Sequence, residues 1–374
     1  MDAALSHTLE RVRAAVADHT SLRLRGGGSK DFHGLQLQGE ILDTRSLRGL
    51  VSYEPSELVV TVRAGTTLVE LEAALAAQGQ SLAFEPPHFA TAQGDVATVG
   101  GMVAAGWSGP ARASVGAVRD FVLGIEIING KAELLRFGGT VMKNVAGYDV
   151  SRLMAGSWGT LGVITEVSLK VLPVAPGEAT LRFDGISQAA ALQRLNQWGG
   201  LPLPLNASCW VETDGIGSLY VRLRGAVAAV EAACRNMGGT RMEQVPAAAD
   251  WIACREQQLP WFTQRKLGDC LWRLSMPQTA PVLDFPAGIA PPLVEWHGAQ
   301  RWVHAPRSMG PRLQALAAAA GGHASLFRAE SVDQISAEAI FDPQNAALQR
   351  IHAQLQQAFD PAGVFNPGRA MARR

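Results

Sequence analysis

Glycine placement constrains this chain more than any other feature. Four clusters fall within the first 174 residues: Gly26-Gly27-Gly28; Gly100-Gly101 with Gly106 and Gly109; Gly138-Gly139; and Gly156, Gly159 and Gly162. Glycine loses more backbone freedom on folding than any other residue, so such density needs a reason. One reason is a ligand whose phosphates come so close to the main chain that a Cβ would clash. Consecutive amides in a tight turn then form an anion-binding concavity. The bland alternative, glycines that only serve turns, suffices for one loop and is strained for four. The run Arg25-Gly26-Gly27-Gly28-Ser29-Lys30 adds two cations and a hydroxyl to such a turn. Two common phosphate motifs are absent. No GxxxxGK[ST] string occurs, and the third position of a GxGxxG frame starting at Gly26 is Asp31.

Element signals surround these loops. Leu5, Leu9, Val12 and Val16 repeat at helical spacing, and Leu22–Arg25 reads as a short strand. Residues 58–62 form a second strand. Thr67 and Glu70 then make a capping box for a helix with Leu68, Leu71 and Leu75 buried and Gly79 at its end. Residues 84–120 read as mostly irregular, a length that is usually functional. A buried strand follows at 121–128, and Asn129-Gly130 suggests a type I′ hairpin into a strand at 132–137. From Gly162 a strand places Val163, Thr165, Val167, Leu169 and Val171 on one face. Pro173 and Pro176 mark a boundary. Residues 177 to about 340 read as a second α+β unit. In the tail, Asp342-Pro343 starts a helix with a stripe of Leu348, Ile351, Leu355 and Ala358, which Asp360-Pro361 stops.

Composition narrows the function classes. A formal net charge of +0, with 18% charged residues, argues against nucleic acid or an anionic membrane as partner. No uncharged apolar run of about 18 residues occurs and the N-terminus lacks a signal-peptide core, so the expectation is a cytoplasmic protein. Cys209, Cys234, Cys254 and Cys270 form no CxxC pair, so neither a zinc site nor an iron–sulfur cluster is expected, and the metal expectation is none.

The motifs RGGGSK (25–30), TVRAG (61–65), TVGGMVAAGWSGP (98–110), VRDFVLGIEIING (118–130) and KNVAGYDVSRLMAGSWGTLGVITEVSLKVLP (143–173) resemble, in this order, one flavin-binding family. That family is the FAD-binding domain of the vanillyl-alcohol oxidase / p-cresol methylhydroxylase (PCMH) superfamily. Within it, the chain resembles the FAD-binding E subunits of bacterial glycolate oxidase. FDPAGVFNPGRAM (359–371) resembles the family's closing motif. The resemblance implies an α+β fold: a two-lobed PCMH-type FAD-binding domain (1–174), a smaller α+β cap domain (175–340), and a C-terminal helix and tail (341–374) returning to the flavin domain. It implies that Gly26, Gly27, Gly28, Ser29 and Lys30 cradle the pyrophosphate. Thr98, Gly100 and Gly101 would follow the pyrophosphate and ribityl chain, with Ser108 and Gly109 nearby. Gly159, Thr160, Gly162, Val163 and Ile164 would pack along the adenosine end, and Asn366 would approach the isoalloxazine ring.

Many relatives tether the flavin through a histidine after the glycine run. Here Ser29 stands at that place, and no cysteine occurs before residue 175, so the FAD is expected to be non-covalent. His88 is the nearest alternative tether, set against a loop histidine with no such task.

Catalytic relatives carry a histidine-rich metal motif, HPxGDGNxH, that this chain lacks; His297, His304 and His323 are far apart in sequence. His323 as base and Arg328 as carboxylate clamp form the nearest reactive pair, against an ordinary bonded histidine and a surface ion pair. Lys143 and Asn144 are further candidate cavity polars, or loop caps. The resemblance implies a subunit that binds FAD beside a second FAD-linked oxidase subunit, with an iron–sulfur subunit carrying electrons to a membrane quinone. The complex would oxidise glycolate, or D-lactate, to the 2-oxo acid, and would meet the membrane only through its partners. The favoured role of this chain is accessory. The alternatives are a self-sufficient flavin oxidase and a redox-inert structural subunit.

Overall fold

The computed structural model of the protein describes residues 2–34, 38–140, 149–329 and 346–369. Lys143, Asn144 and the Asp342-Pro343 helix start lie outside these. The fold is mixed α+β, in two compact units. One comprises Met1–Ser108, Ala117–Val174 and Pro343–Arg374, and the other Gly109–Gly116 and Ala175–Asp342. Residues 109–116, expected within the flavin-binding half, thus group with the second unit.

The first unit is built on a five-stranded antiparallel sheet. Its order is Leu50–Glu54, Val59–Arg63, Val163–Lys170, Val122–Ile128 and Leu134–Gly138. The strand from Val163 is buried from Val163 to Leu169 on both faces, and Ser168 answers Thr61 across the sheet at 2.9 Å. Beside the sheet, Leu22–Arg25 and Glu40–Asp43 pair in parallel, and Leu22 bridges to Phe365 of the C-terminal segment. The opening helix, Ala3–Asp18, is capped by the Asp2 carboxylate, which accepts from Leu5 N at 2.8 Å. It buries Leu5, Leu9 and Val12 in one core with Leu22, Leu42, Ile128, Val163, Val364 and Phe365. The capping box forms as the sequence indicates, and Leu68, Leu71 and Leu75 of helix Leu68–Ala76 are fully buried. Each such leucine contributes about 1.5–3 kcal/mol by leaving water.

One local expectation is refined and two fail. Residues 84–120 are mostly irregular, as expected, but hold a helix, Val99–Ala105, capped by Thr98 and ended by Gly106 at φ +66°. Its Gly100-Gly101 pair has poor helix propensity, which tertiary contact overrides. The Asn129-Gly130 step is no type I′ turn: the loop runs to Glu133, whose carbonyl accepts from Asn129 N, and Ala132 takes the positive φ. Gly130 serves a different need, because a Cβ there would collide with Asp360, whose neighbour Phe359 accepts from Gly130 N at 2.8 Å. Finally, helix Ala346–Phe359 has no buried residue, and Leu348 and Ile351 of its stripe are exposed.

The second unit centres on an eight-stranded antiparallel sheet. Its order is Thr240–Arg241, Gly177–Asp184, Ile216–Gly225, Leu205–Thr213, Leu293–Glu295, Gln300–Pro306, Asp269–Ser275 and His323–Arg328. Helices Gln188–Gly199 and Val227–Met237 cover a core of Leu181, Phe183, Trp210, Leu219, Val221 and Val294. Segment 109–116 joins this unit through named contacts. Trp296 Nε1 donates to Gly109 O at 3.0 Å, the Arg112 guanidinium lies 4.4 Å from the Trp296 ring, and Ser114 Oγ meets His297 Nε2 at 3.0 Å.

Candidate functional site

In the first unit the loops converge on one cleft, with about 100 Å³ of cavity in an empty space of about 770 Å³ that runs out to solvent. A groove of that form suits a long ligand laid along the chain. Strand Leu22–Arg25 leads into Gly26-Gly27-Gly28-Ser29-Lys30 on one wall. Thr98, Gly100 and Gly101 form another, and Gly159, Gly162, Val163 and Ile164 a third. Asn366 and Arg369 of the C-terminal segment complete it. Residues separated by more than 300 positions thus line one groove.

The glycines also meet a need within the protein itself. A Cβ at Gly26 would collide with Thr98 Oγ1, one at Gly27 with Val96 O, and one at Gly28 with the Arg25 guanidinium and Asp95. Gly28 also has φ +81°, where a branched residue is strained. The run is glycine so that segment 95–98 can close onto it, and this contact shapes the groove. Its carbonyls turn to the protein: Gly27 O accepts from Val96 N at 3.0 Å and Gly28 O from Asp31 N at 2.9 Å. The side chain of Thr98 accepts from Gly101 N at 3.3 Å, fixing the start of helix Val99–Ala105 at the groove.

Charge in the cleft is arranged around Arg25. Its guanidinium donates to Asp31 at 2.8 Å and to Asp95 at 3.1 Å; these bonds, that to Asp31 foremost, raise its pKa further. Lys30 is buried beside Ser29, with Nζ 3.3 Å from the hydroxyl. Three cations and one carboxylate line the groove (Arg25, Lys30 and Arg369 against Asp31), an excess that fits an anionic ligand such as a diphosphate.

Several expected residues take other roles. Ser108 Oγ accepts from Val118 N at 3.1 Å, Thr160 Oγ1 donates to Ser157 O at 2.8 Å, and the Gly109 carbonyl serves Trp296. None of the three lines the cleft. Asn366 does, but its side chain is a staple: Oδ1 accepts from Leu24 N at 2.7 Å and Nδ2 donates to Trp158 O at 2.7 Å. Each end of the amide makes one bond to the protein, which fixes its orientation and leaves a second N–H and a second lone pair for other partners. His88 lies outside the cleft, with Nε2 3.0 Å from Glu72.

The proposed acid–base pair does not assemble. His323 and Arg328 begin and end one strand, about 16 Å apart at about 3.3 Å per residue. His323 is exposed and opposes Ser275, whereas Arg328 opposes Leu271 and burial pushes its guanidinium down to about 10. A small 2-hydroxy acid cannot span that distance. The other two histidines are held as neutral rings: burial lowers both His297 and His304 to about 4. His297 bonds Ser208 and Ser114, and His304 stacks on Trp261 at 4.2 Å between centroids. Among the described residues, no three histidine, cysteine, aspartate or glutamate side chains are grouped to hold a metal ion. A separate cavity of about 490 Å³ in this unit is lined by Tyr220, Trp251, Trp261, Cys254 and His304, and by neither His323 nor Arg328.

Sequence reasoning missed Thr44, Val96, Trp158, Asp31 and Arg369 as cleft residues. Only Arg369 had a usable signal, as the sole cation in Asn366-Pro367-Gly368-Arg369 of the closing motif.

Comparison with known proteins agrees with this geometry. Residues 6–138 match the family described as FAD binding domain. The chain is 46% identical over 364 residues to glycolate oxidase subunit GlcE of Escherichia coli K12, covering 97% of this chain and 96% of that one. Glycolate oxidase subunit GlcD of Bacillus subtilis 168 is 30% identical over 154 residues, 41% of this chain and 32% of its own length. D-lactate dehydrogenase of Anaerostipes hadrus is 35% identical over 151 residues, 39% of this chain and 29% of its own. Among solved structures, an alkyldihydroxyacetonephosphate synthase shares the fold, with a TM-score of 0.65 at 14% identity over 97% of this chain and 75% of that one. With near end-to-end coverage at this identity, the chain belongs to the family of the glycolate oxidase subunit GlcE.

Proposed function

We propose that this chain is the FAD-binding subunit of a glycolate oxidase complex that converts glycolate, or D-lactate, to the 2-oxo acid. The observation that carries the reading is the single cleft formed by the glycine run, the 98–101 turn, the 159–164 turn and the C-terminal segment, in a chain of the GlcE family. The bound flavin would supply two-electron acceptance from the hydroxy acid or from a partner's cofactor. The chain's own residues hold it: the glycine run shapes the groove, buried cations meet the diphosphate, and Val163 and Ile164 give apolar cover. Ser29 has no nucleophilic role at the tether position, so the cofactor is bound without a covalent link.

The role we assign to the chain is accessory, passing electrons on within the complex beside a second FAD-linked subunit and an iron–sulfur subunit. The separation of His323 from Arg328 supports this, because that pair cannot act together on one small acid. No helix among the described residues is long and apolar enough to cross a membrane, in keeping with membrane association through partners alone. The test is purification of the chain alone and with co-expressed partners, measuring flavin absorbance and glycolate-dependent dye reduction. We expect a yellow chain that turns over glycolate only with its partners. Steady turnover by the isolated chain would replace the accessory role, and a colourless chain that takes up no FAD would end the reading.

A further inference from the structure

The cavity of about 490 Å³ in the second unit is explained neither by the glycine motifs nor by the flavin reading, and it shares no lining residue with the flavin cleft. A water molecule takes about 30 Å³, so the space exceeds the needs of a two-carbon acid many times over. Its lining runs from the buried Thr180, Cys209, Cys254 and Leu293 to the exposed Asp214 and Asp250.

The charge of this lining has one sign. Glu212, Asp214 and Asp250 belong to it, and no lysine or arginine does. The cations around it are engaged elsewhere. Arg182 pairs with Asp184 at 2.9 Å, and Arg222 lies on the Trp251 ring at 5.0 Å and donates to Asn206 at 2.6 Å. Arg265 and Asp269 act on His304 with opposite sign, and burial holds that ring neutral. Aromatic rings stand beside the carboxylates: Tyr220, Trp251 and Trp261 line the same space, and Trp261 stacks on His304. His304 Nε2 is enclosed, with no hydrogen-bond partner among the described residues. In the tautomer protonated on Nδ1, that nitrogen is an acceptor.

Ring faces attract a cation through their quadrupole, carboxylates attract it through their charge, and a bare imidazole nitrogen accepts an N–H. One ligand class answers all three, an ammonium carried on an apolar body. A metal ion does not fit, because no three ligating side chains are grouped there among the described residues. A 2-hydroxy acid does not fit either, since its carboxylate would face three others. We propose that this cavity binds a small organic ammonium ion.

The test uses the full chain with its flavin, and calorimetric titration with phenethylamine, 2-phenylethanol and phenylacetate, which share one ring and differ in charge. Phenethylamine should bind, 2-phenylethanol about tenfold more weakly and phenylacetate more weakly still. Added salt should weaken the amine and leave the alcohol unchanged. Trp261→Ala should weaken the amine about fivefold. The double variant Glu212→Gln, Asp250→Asn should bring amine and alcohol close together, and it carries the test if Trp261→Ala does not fold. Wild-type protein that binds no amine, or binds all three compounds alike, overturns the proposal. Unchanged amine affinity in the folded double variant overturns it too. None of these readouts involves glycolate, so they stand or fall apart from the function proposed above.

Discussion

The two units gather their polar groups in different settings. In the first, close-packed glycine turns bring main chain from four places together, and buried cations stand at the groove they form. In the second, several polar groups sit on a broad sheet and bond one another. The buried Glu295 carboxylate accepts from Trp302 Nε1 at 2.5 Å, Gln300 Nε2 at 3.1 Å and Cys254 Sγ at 3.3 Å. The residues there that resembled a catalytic pair are held apart by strand geometry. A polar group already bonded within the protein stabilises it; one left waiting at a groove marks a ligand.

The largest effect should come from Gly28→Val, which introduces a strained positive φ together with a collision against Arg25 and Asp95. We expect a loss of about 3 kcal/mol or more in stability and no retained flavin, read by thermal melting and by absorbance per protein. Normal melting and normal colour would break the claim that the glycine run shapes the groove.

Next is the acid response of the second unit. His297 has a folded pKa of about 4, below the ordinary 6.5, because burial disfavours its charged form. The unfolded chain therefore binds more protons between these values, so the contribution is complete above pH 6.5 and is lost as pH falls toward 4. For this largely buried ring the loss is up to about 3 kcal/mol. Denaturant titrations across that range should show the fall, and His297→Gln should blunt it. A pH-independent stability would show that the ring is not held neutral.

Asn366→Ala removes the staple between the tail, Leu24 and Trp158. Leaving the Leu24 amide without its acceptor should cost about 1–3 kcal/mol and speed flavin release, measured by fluorescence recovery on dilution. Gly101→Ala is gentler. Its Cβ would meet only Thr98 Oγ1, at 3.1 Å, and alanine favours the helix by up to about 1 kcal/mol. FAD affinity should fall severalfold at undiminished stability; unchanged affinity would move the ligand away from that wall. The smallest effect is expected from His323→Ala, which should leave flavin content as it is, since His323 is exposed on the other unit.

Legibility followed the same division. The capping box at Thr67, the helix over Leu5, Leu9 and Val12, and the glycine turns could be read directly, because each depends on local backbone chemistry, whereas Thr98, Val163, Ile164 and Asn366 were indicated only by the family resemblance. The helix Val99–Ala105 was hidden by its two glycines, and the role of Gly130 by a turn motif that fits the sequence but not the fold. Arg369 could be seen as a cation in a motif, but not as a wall of the groove.

The amino-acid sequence by itself determined where the main chain must bend sharply and which segments are apolar enough to pair. Those properties are encoded residue by residue in allowed φ and ψ and in side-chain periodicity. Tertiary structure alone decided which side chains meet. It brought the tail beside residue 30, bonded both ends of Asn366, and separated His323 from Arg328 along an extended strand. Those outcomes depend on sheet register and on contacts between segments hundreds of residues apart, which no local pattern encodes.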